Sequence, residues 1–268
     1  MVKQWFLGSQ GHDFDGCGAV VMRPCRTLNF TVWQVFEHRQ QIAAANITVL
    51  PQGLMWGLGN RNVVVNLGIP LTVSAAPGSL FPAKFDCALH ASGIVDDRAP
   101  SPPAENSPQS LFIVANQQTL TLNYIEVLNC GDPRQDGGVI AAGDNCNISI
   151  SGSIFHKNRG NAGSVLKMRG GSLSVWLSLF AENEGARGTI QVRSDSPLYP
   201  ARVMISQSVF TNNTASNDGG LLCQLAVALH QWCYVIAGAL LIFGDAVGSI
   251  DSCTFKYVRC SRCVAMSS

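Results

Sequence analysis

Four basic side chains lie within a short stretch of the chain, at Lys157, Arg159, Lys167 and Arg169. Lysine and arginine bind anionic groups through charge-assisted hydrogen bonds. If the fold brings these residues onto neighbouring layers, they form a small basic strip suited to an acidic glycan. A solvated surface that binds no ligand is the alternative interpretation.

Two cysteines, Cys260 and Cys263, have the CxxC spacing of zinc and redox sites. A structural zinc site is almost always four-coordinate, and the sequence has neither a second CxxC nor a closely spaced pair of histidines. We therefore expect a disulfide or a pair of turn cysteines there, and no metal. Cys130 and Cys146 are a further candidate bridge, although pairing cannot be read from a sequence.

The acidic residues form no convincing catalytic pair. A glycoside hydrolase needs two carboxyl groups about 5–9.5 Å apart. Asp96 and Asp97 are adjacent but lie in a proline-rich stretch, and Asp218 with Asp245 is the best remaining pair. The chain also lacks the G-x-S-x-G, P-loop and H-E-x-x-H motifs. We assign no catalytic residue and expect no cofactor.

Composition limits the class of protein. The 268 residues are 47% hydrophobic and only 13% charged, and the net charge is +1. Disorder is excluded, because the apolar surface is ample to offset chain entropy. The balanced charge gives no electrostatic signature of a protein that binds nucleic acid.

Cysteines and glycosylation motifs indicate the compartment. Ten cysteines and four Asn-x-Ser/Thr motifs, at Asn29, Asn46, Asn147 and Asn212, favour an oxidising, extracellular or cell-surface location. The first 18 residues contain no apolar run of a signal peptide. We therefore expect the chain to be a fragment or an incomplete gene model.

A repeat of about 25 residues organises the second half of the chain. A glycine opens each of three short apolar segments, at Gly138, Gly163 and Gly188, and a phenylalanine follows 17 residues after the first two. The phenylalanines are Phe155, Phe180, Phe210 and Phe255, and an asparagine stands three residues after the first three, at Asn158, Asn183 and Asn213.

This repeat predicts a parallel β-helix. Apolar and polar residues alternate within the segments, as in Leu173-Ser174-Val175, so each reads as a short strand with one buried face. Coils of about 25 residues would stack to bury a continuous core. We expect the phenylalanines to stack inside and the asparagines to form a ladder at a turn. A β-sandwich is the alternative.

The motifs Gly137-Gly138-Val139-Ile140 and Phe155-His156-Lys157-Asn158 resemble the GG-[AVLI]-[IVL] and F-x-x-N motifs of polymorphic outer-membrane protein repeats. They also resemble the wider right-handed parallel β-helix, or pectate-lyase-like, superfamily. The resemblance covers about residues 46–260. It implies an all-β, single-stranded right-handed β-helix. The G-H-G and R-I-K motifs of the hydrolases in that superfamily are missing.

We expect one β-helix over residues 46–268, preceded by a segment, 1–45, that is a possible cap. Residues 96–110 are rich in proline and serine and predict an exposed loop. Residues 221–238 break the repeat, and register resumes at Gly238. Three interpretations are open: a packed loop or short helix, a gene-model artefact, or part of a membrane helix over 221–243. The polar residues Gln224, His230 and Gln231 disfavour the membrane helix.

The predicted function is a non-catalytic, secreted or cell-surface β-solenoid that binds polysaccharides or surface proteins. A carbohydrate-active enzyme, either a polysaccharide lyase or a glycoside hydrolase of the pectate-lyase-like group, is the alternative. We expect no nucleic-acid partner, and no membrane association except through 221–243.

Overall fold

The structure is a computed structural model and describes residues 1–51, 55–56, 62–87, 110–194, 200–216, 232–236, 240–244, 246–256 and 259–260. Its strands form four sheets, here named A to D.

Sheets A and B hold eight and seven strands. In spatial order, sheet A contains β1 (Val2–Leu7), β2 (Ala44–Val49), β5 (Leu71–Ala75), β8 (Thr119–Asn123), β11 (Asn147–Ser151), β15 (Ser172–Trp176), β19 (Ala201–Ser206) and β24 (Ala246–Asp251). Sheet B contains β3 (Met55–Trp56), β6 (Ala83–Asp86), β9 (Ile125–Leu128), β12 (Ile154–His156), β16 (Leu179–Ala181), β20 (Val209–Thr211) and β25 (Thr254–Lys256).

Sheets C and D hold seven and four strands. Sheet C contains β4 (Val63–Val65), β7 (Phe112–Val114), β10 (Ile140–Asp144), β14 (Leu166–Arg169), β18 (Ile190–Ser194), β23 (Leu240–Gly244) and, at its edge, β22 (Trp232–Ile236). Sheet D contains β13 (Arg159–Gly160), β17 (Glu184–Gly185), β21 (Thr214–Ala215) and β26 (Arg259–Cys260).

The chain winds as a parallel β-helix, which confirms the predicted fold. It passes from β11 in sheet A through β12 in B, β13 in D and β14 in C, and then returns to sheet A as β15, beside β11. Among the described strands every pairing is parallel except that of β22 with β23. The predicted repeat is also in register, since Phe155 pairs with Phe180 and Phe180 with Phe210.

Stacked side chains fill the core. Phe155, Phe180, Phe210 and Phe255 form a column with ring centroids 5.3, 4.6 and 5.0 Å apart, and neighbouring rings are nearly parallel. In β15, for example, Leu173 and Val175 face the core while the residues between them face outward. Because no single coil covers its own apolar face, stacking of coils is the source of stability.

The N-terminal segment contains both strand and helix. β1 adds a strand to sheet A, and helix α1 (Leu28–His38) packs against β1 and β4. Thr27 caps the helix, because its hydroxyl accepts from the N–H of Phe30, and a 3₁₀ turn (Arg39–Gln41) follows. The segment predicted as a possible cap thus holds a helix that begins at Leu28.

Two predicted irregular segments lie largely outside the described residues. Of loop 96–110, only Ser110 is described. Of segment 221–238, the described part is β22, which pairs antiparallel with β23. Because these residues form strands, the interpretation of 221–243 as a membrane helix is wrong over 232–236 and 240–243. The predicted restart of the repeat is correct, because Leu240 pairs with Ile190 in the neighbouring coil.

Turn conformation is shared along the stack, but residue type is not. In four successive coils, the residue that directly follows the strand of sheet B has a positive φ. These residues are Asn129, Lys157, Glu182 and Asn212, with φ values of 56°, 57°, 55° and 53°. Glycine and asparagine tolerate this region best. Positions such as Lys157 and Glu182 therefore carry backbone strain that the repeat geometry imposes.

Candidate functional site

The four predicted basic residues belong to two parts of the β-helix. Lys157 and Arg159 lie in the turn after sheet B and in sheet D, whereas Lys167 and Arg169 lie on β14 in sheet C. The first two face glutamates of the next coil: Lys157 lies 3.9 Å from Glu182, and Arg159 lies 3.4 Å from Glu184. These are exposed ion pairs, which contribute little to stability.

Lys167 and Arg169 lie beside a cleft on the outer face of sheet C. Arg187, Gln191 and Arg193 also line it, and so does Asp136, whose carboxylate contacts the Lys167 ammonium group. Arg187, Gln191 and Arg193 were not predicted from the sequence. Alignment of the repeats could have identified two of them, because Gln191 and Arg193 occupy the same strand positions as Lys167 and Arg169, one coil later.

The outer face of sheet A carries two rows of polar side chains. Neighbouring strands lie about 4.8 Å apart, so each row repeats at that distance. The first row is Gln4, Asn46, Thr72, Thr121, Ser149, Ser174, Met204 and Ser249. The second row is Thr48, Ser74, Asn123, Ser151, Trp176, Ser206 and Asp251. Hydroxyl and amide groups dominate both rows, and Asp251 is the one charged member.

Trp176 interrupts the second row with a large aromatic surface. Its side chain is 49% exposed, although Trp176 belongs to a regular strand. The indole N–H donates to Oε1 of Gln207 at 3.0 Å, which fixes the plane of the ring. Met204, which is 62% exposed, lies on the adjacent strand β19. The two rows therefore present a rigid aromatic platform among mainly neutral hydrogen-bonding groups, and Arg202 is exposed on the same face.

A second group missed by sequence reasoning lies on sheet B. The carboxylate of Glu126 contacts Lys84 at 2.9 Å and His156 at 2.8 Å, across three coils. Burial raises the pKa of Glu126, but hydrogen bonds from Lys84 and His156 outweigh burial and leave that pKa below its usual value. A carboxyl group that stays ionised is a poor general acid, and we interpret the group as a structural ion cluster.

Two disulfides are present among the described residues, Cys17–Cys25 and Cys87–Cys130. The predicted bridge between Cys130 and Cys146 is therefore wrong, because Cys87 reaches Cys130 from the preceding coil. Cys146 is a buried free thiol that contacts the carbonyl of Ala115 at 3.0 Å, and burial raises its pKa. Disulfides are typical of oxidising compartments.

The remaining predicted sites are only partly described. Asn147 and Asn212 are exposed, whereas Asn29 and Asn46 are half-buried, and their glycosylation stays a prediction. The side chains of Cys260 and Cys263 and the residues Asp96, Asp97, Asp218 and Asp245 lie outside the described part.

A cluster of Asp13, Cys17 and Cys25 has ligand atoms close enough to hold a metal ion. Its donors are already engaged. The two cysteines form a disulfide, and the Asp13 carboxylate accepts from the backbone N–H groups of Arg26 and Thr27 and from the Thr27 hydroxyl. The cluster therefore joins the N-terminal loop to the start of helix α1.

Two further observations concern the whole chain. Within the described ranges, no helix is both long and apolar enough to cross a membrane. Comparison with protein-family models, with curated proteins and with solved structures finds no match to this chain.

Proposed function

We propose that this protein is a non-catalytic, secreted or cell-surface β-solenoid that binds neutral glycans on the outer face of sheet A. The observation that carries the proposal is Trp176, an exposed and immobilised indole within rows of hydroxyl and amide groups. Aromatic rings offer a large apolar surface beside polar partners. Such a ring suits the C–H face of a sugar, whose hydroxyl groups would bond to neighbouring side chains.

The periodicity of the face supports an extended ligand. Ser151, Trp176 and Ser206 occupy matching positions on three consecutive strands. A polysaccharide lying across the strands would therefore meet the indole of Trp176 on one coil and serine hydroxyl groups on the two coils beside it. The disulfides support the location, because they form in the secretory pathway. The motif resemblance to polymorphic outer-membrane protein repeats also agrees with a surface protein.

Co-sedimentation with insoluble cellulose, chitin and β-1,3-glucan tests the proposal. The unaltered protein should bind at least one of them, and Trp176→Ala should weaken binding by about tenfold or more, as expected for a central aromatic contact. Trp33→Ala is the matched control, because Trp33 is 44% exposed but lies on helix α1.

Equal losses in the two variants would overturn the assignment of the face. Failure of the unaltered protein to bind any neutral glycan on an array would favour a protein partner instead.

A further inference from the structure

A cleft of ≈ 90 Å³ lies on the outer face of sheet C, away from the face proposed to bind glycans. Its polar lining consists of Asp136, Lys167, Arg169, Arg187, Gln191 and Arg193. About 10–15 Å³ of such space is enough to hold one water molecule. The cleft therefore has room for a small ion or functional group.

The charges that line this cleft are unbalanced. The one carboxylate, Asp136, is already engaged: its Oδ2 atom contacts the Lys167 ammonium group, and its Oδ1 atom accepts from Nδ2 of Asn161 at 3.1 Å. In the described part of the chain, no carboxylate pairs with the guanidinium groups of Arg169 or Arg187. Guanidinium groups bind oxyanions through two parallel hydrogen bonds.

Gln191 adds a neutral hydrogen-bond donor to the cleft. Its side chain is only 3% exposed, on the interior strand β18, and it lines the cleft. A bound oxyanion would accept from its N–H₂ group, and such a hydrogen bond is strengthened where solvent is largely excluded.

We propose that the cleft is an anion site that binds one sulfate-type oxyanion, as the free ion or as the ester group of a sulfated glycan. Arg169 and Arg187 approach from different elements, since Arg169 lies on β14 and Arg187 follows β17. Together with Gln191 they surround a small volume with donors, which suits a tetrahedral group with several oxygen atoms. The proposal is independent of the glycan face on sheet A.

Fluorescence anisotropy with labelled dextran sulfate tests this site, with labelled neutral dextran as the comparison. The unaltered protein should bind dextran sulfate at about 150 mM salt, where exposed charges are already screened. Inorganic sulfate should displace the polymer more effectively than chloride at equal ionic strength. Displacement by sulfate no better than by chloride would show polyelectrolyte attraction and would overturn the site.

Variants locate the site. Arg169→Gln and Gln191→Leu should each weaken binding by about tenfold, the effect of one charge-assisted or buried hydrogen bond. Arg26→Gln is the control, because Arg26 is exposed, precedes helix α1 and does not line the cleft. An equal loss in Arg26→Gln would contradict the proposal. Circular dichroism checks that Gln191→Leu folds, and Arg169→Gln decides the result if it does not.

The free ion and the ester are told apart by comparing affinities for inorganic sulfate and for sulfated oligosaccharides of defined length. Equal affinities indicate a site for the ion, and higher affinity for the oligosaccharides indicates the ester.

Discussion

The side-chain oxygen Oδ1 of Asn183 accepts two hydrogen bonds from Asn158, one from its backbone N–H and one from its Nδ2 group, each at 3.0 Å. Asn183 in turn donates to the carbonyl of Phe155 and bonds in the same way to Asn213. All three asparagines are buried. The ladder thus satisfies polar groups at the turn that follows the phenylalanine column.

Asn183→Ala should destabilise the protein by about 2–4 kcal/mol, because several buried donors and acceptors would lose their partners together. Urea unfolding followed by circular dichroism measures the change. Glu184→Ala, one residue further along, should change stability by less than about 1 kcal/mol, since its ion pair is exposed. Similar losses for both variants would show that the ladder contributes nothing specific.

Glu182→Asn should raise stability by about 0.5–1 kcal/mol, because Glu182 has φ of 55° and asparagine tolerates the left-handed region better. Asn212 already occupies the corresponding position in the next coil. Glu184→Asn is the control, since Glu184 lies on strand β17, where asparagine has no such advantage. A thermal unfolding curve that shifts downwards for Glu182→Asn would contradict the strain argument.

The Glu126 cluster should make stability depend on pH. Because the pKa of Glu126 is lowered in the folded state, its contribution is present above the unfolded pKa of about 4.3 and is lost as pH falls through the folded pKa. Glu126→Gln should therefore destabilise the protein at pH 7, and the difference should shrink below about pH 4. A difference that is constant from pH 7 to about pH 3 would refute a role for the charged carboxylate.

Thiol chemistry distinguishes the two cysteine assignments. Peptide mapping without reduction should recover a fragment that links Cys87 to Cys130. Cys146 should resist iodoacetamide in the folded protein, because it is buried and its raised pKa keeps it as the thiol. It should react fully after unfolding in guanidinium chloride. A fragment linking Cys130 to Cys146 would contradict the structure.

Loss of the Cys87–Cys130 bridge should also be measurable. The bridge closes a loop with a sequence separation of 43 residues. Chain-entropy arguments give a stabilisation of about 4 kcal/mol for a loop of that size. The double variant Cys87→Ser, Cys130→Ser should therefore unfold at a clearly lower urea concentration.

The repeat was predictable because stacking forces equivalent positions to carry similar residues. Phe155, Phe180 and Phe210 recur at equivalent positions of the repeat, and they do form a column. The asparagine ladder followed from the same spacing. Residues that stack in a parallel β-helix therefore recur in the sequence at intervals of about one coil length.

The surface clusters were harder to predict because they depend on which coils are neighbours. Lys84 and Glu126 pair across a break in the regular spacing, so their contact is not visible in the repeat. The disulfide between Cys87 and Cys130 crosses the same break, so it too is not visible in the repeat. Coil lengths vary, with ladder spacings of 28, 25 and 30 residues from Cys130 to Asn213.

The most direct test of the proposed function measures binding and product release in the same samples, with neutral and acidic polysaccharides, in the presence and absence of calcium. A non-catalytic glycan-binding solenoid predicts retention of the protein on at least one polysaccharide, loss of retention in Trp176→Ala, and no new reducing or unsaturated sugar ends. Release of such ends by the folded protein would contradict this account and identify a carbohydrate-active enzyme.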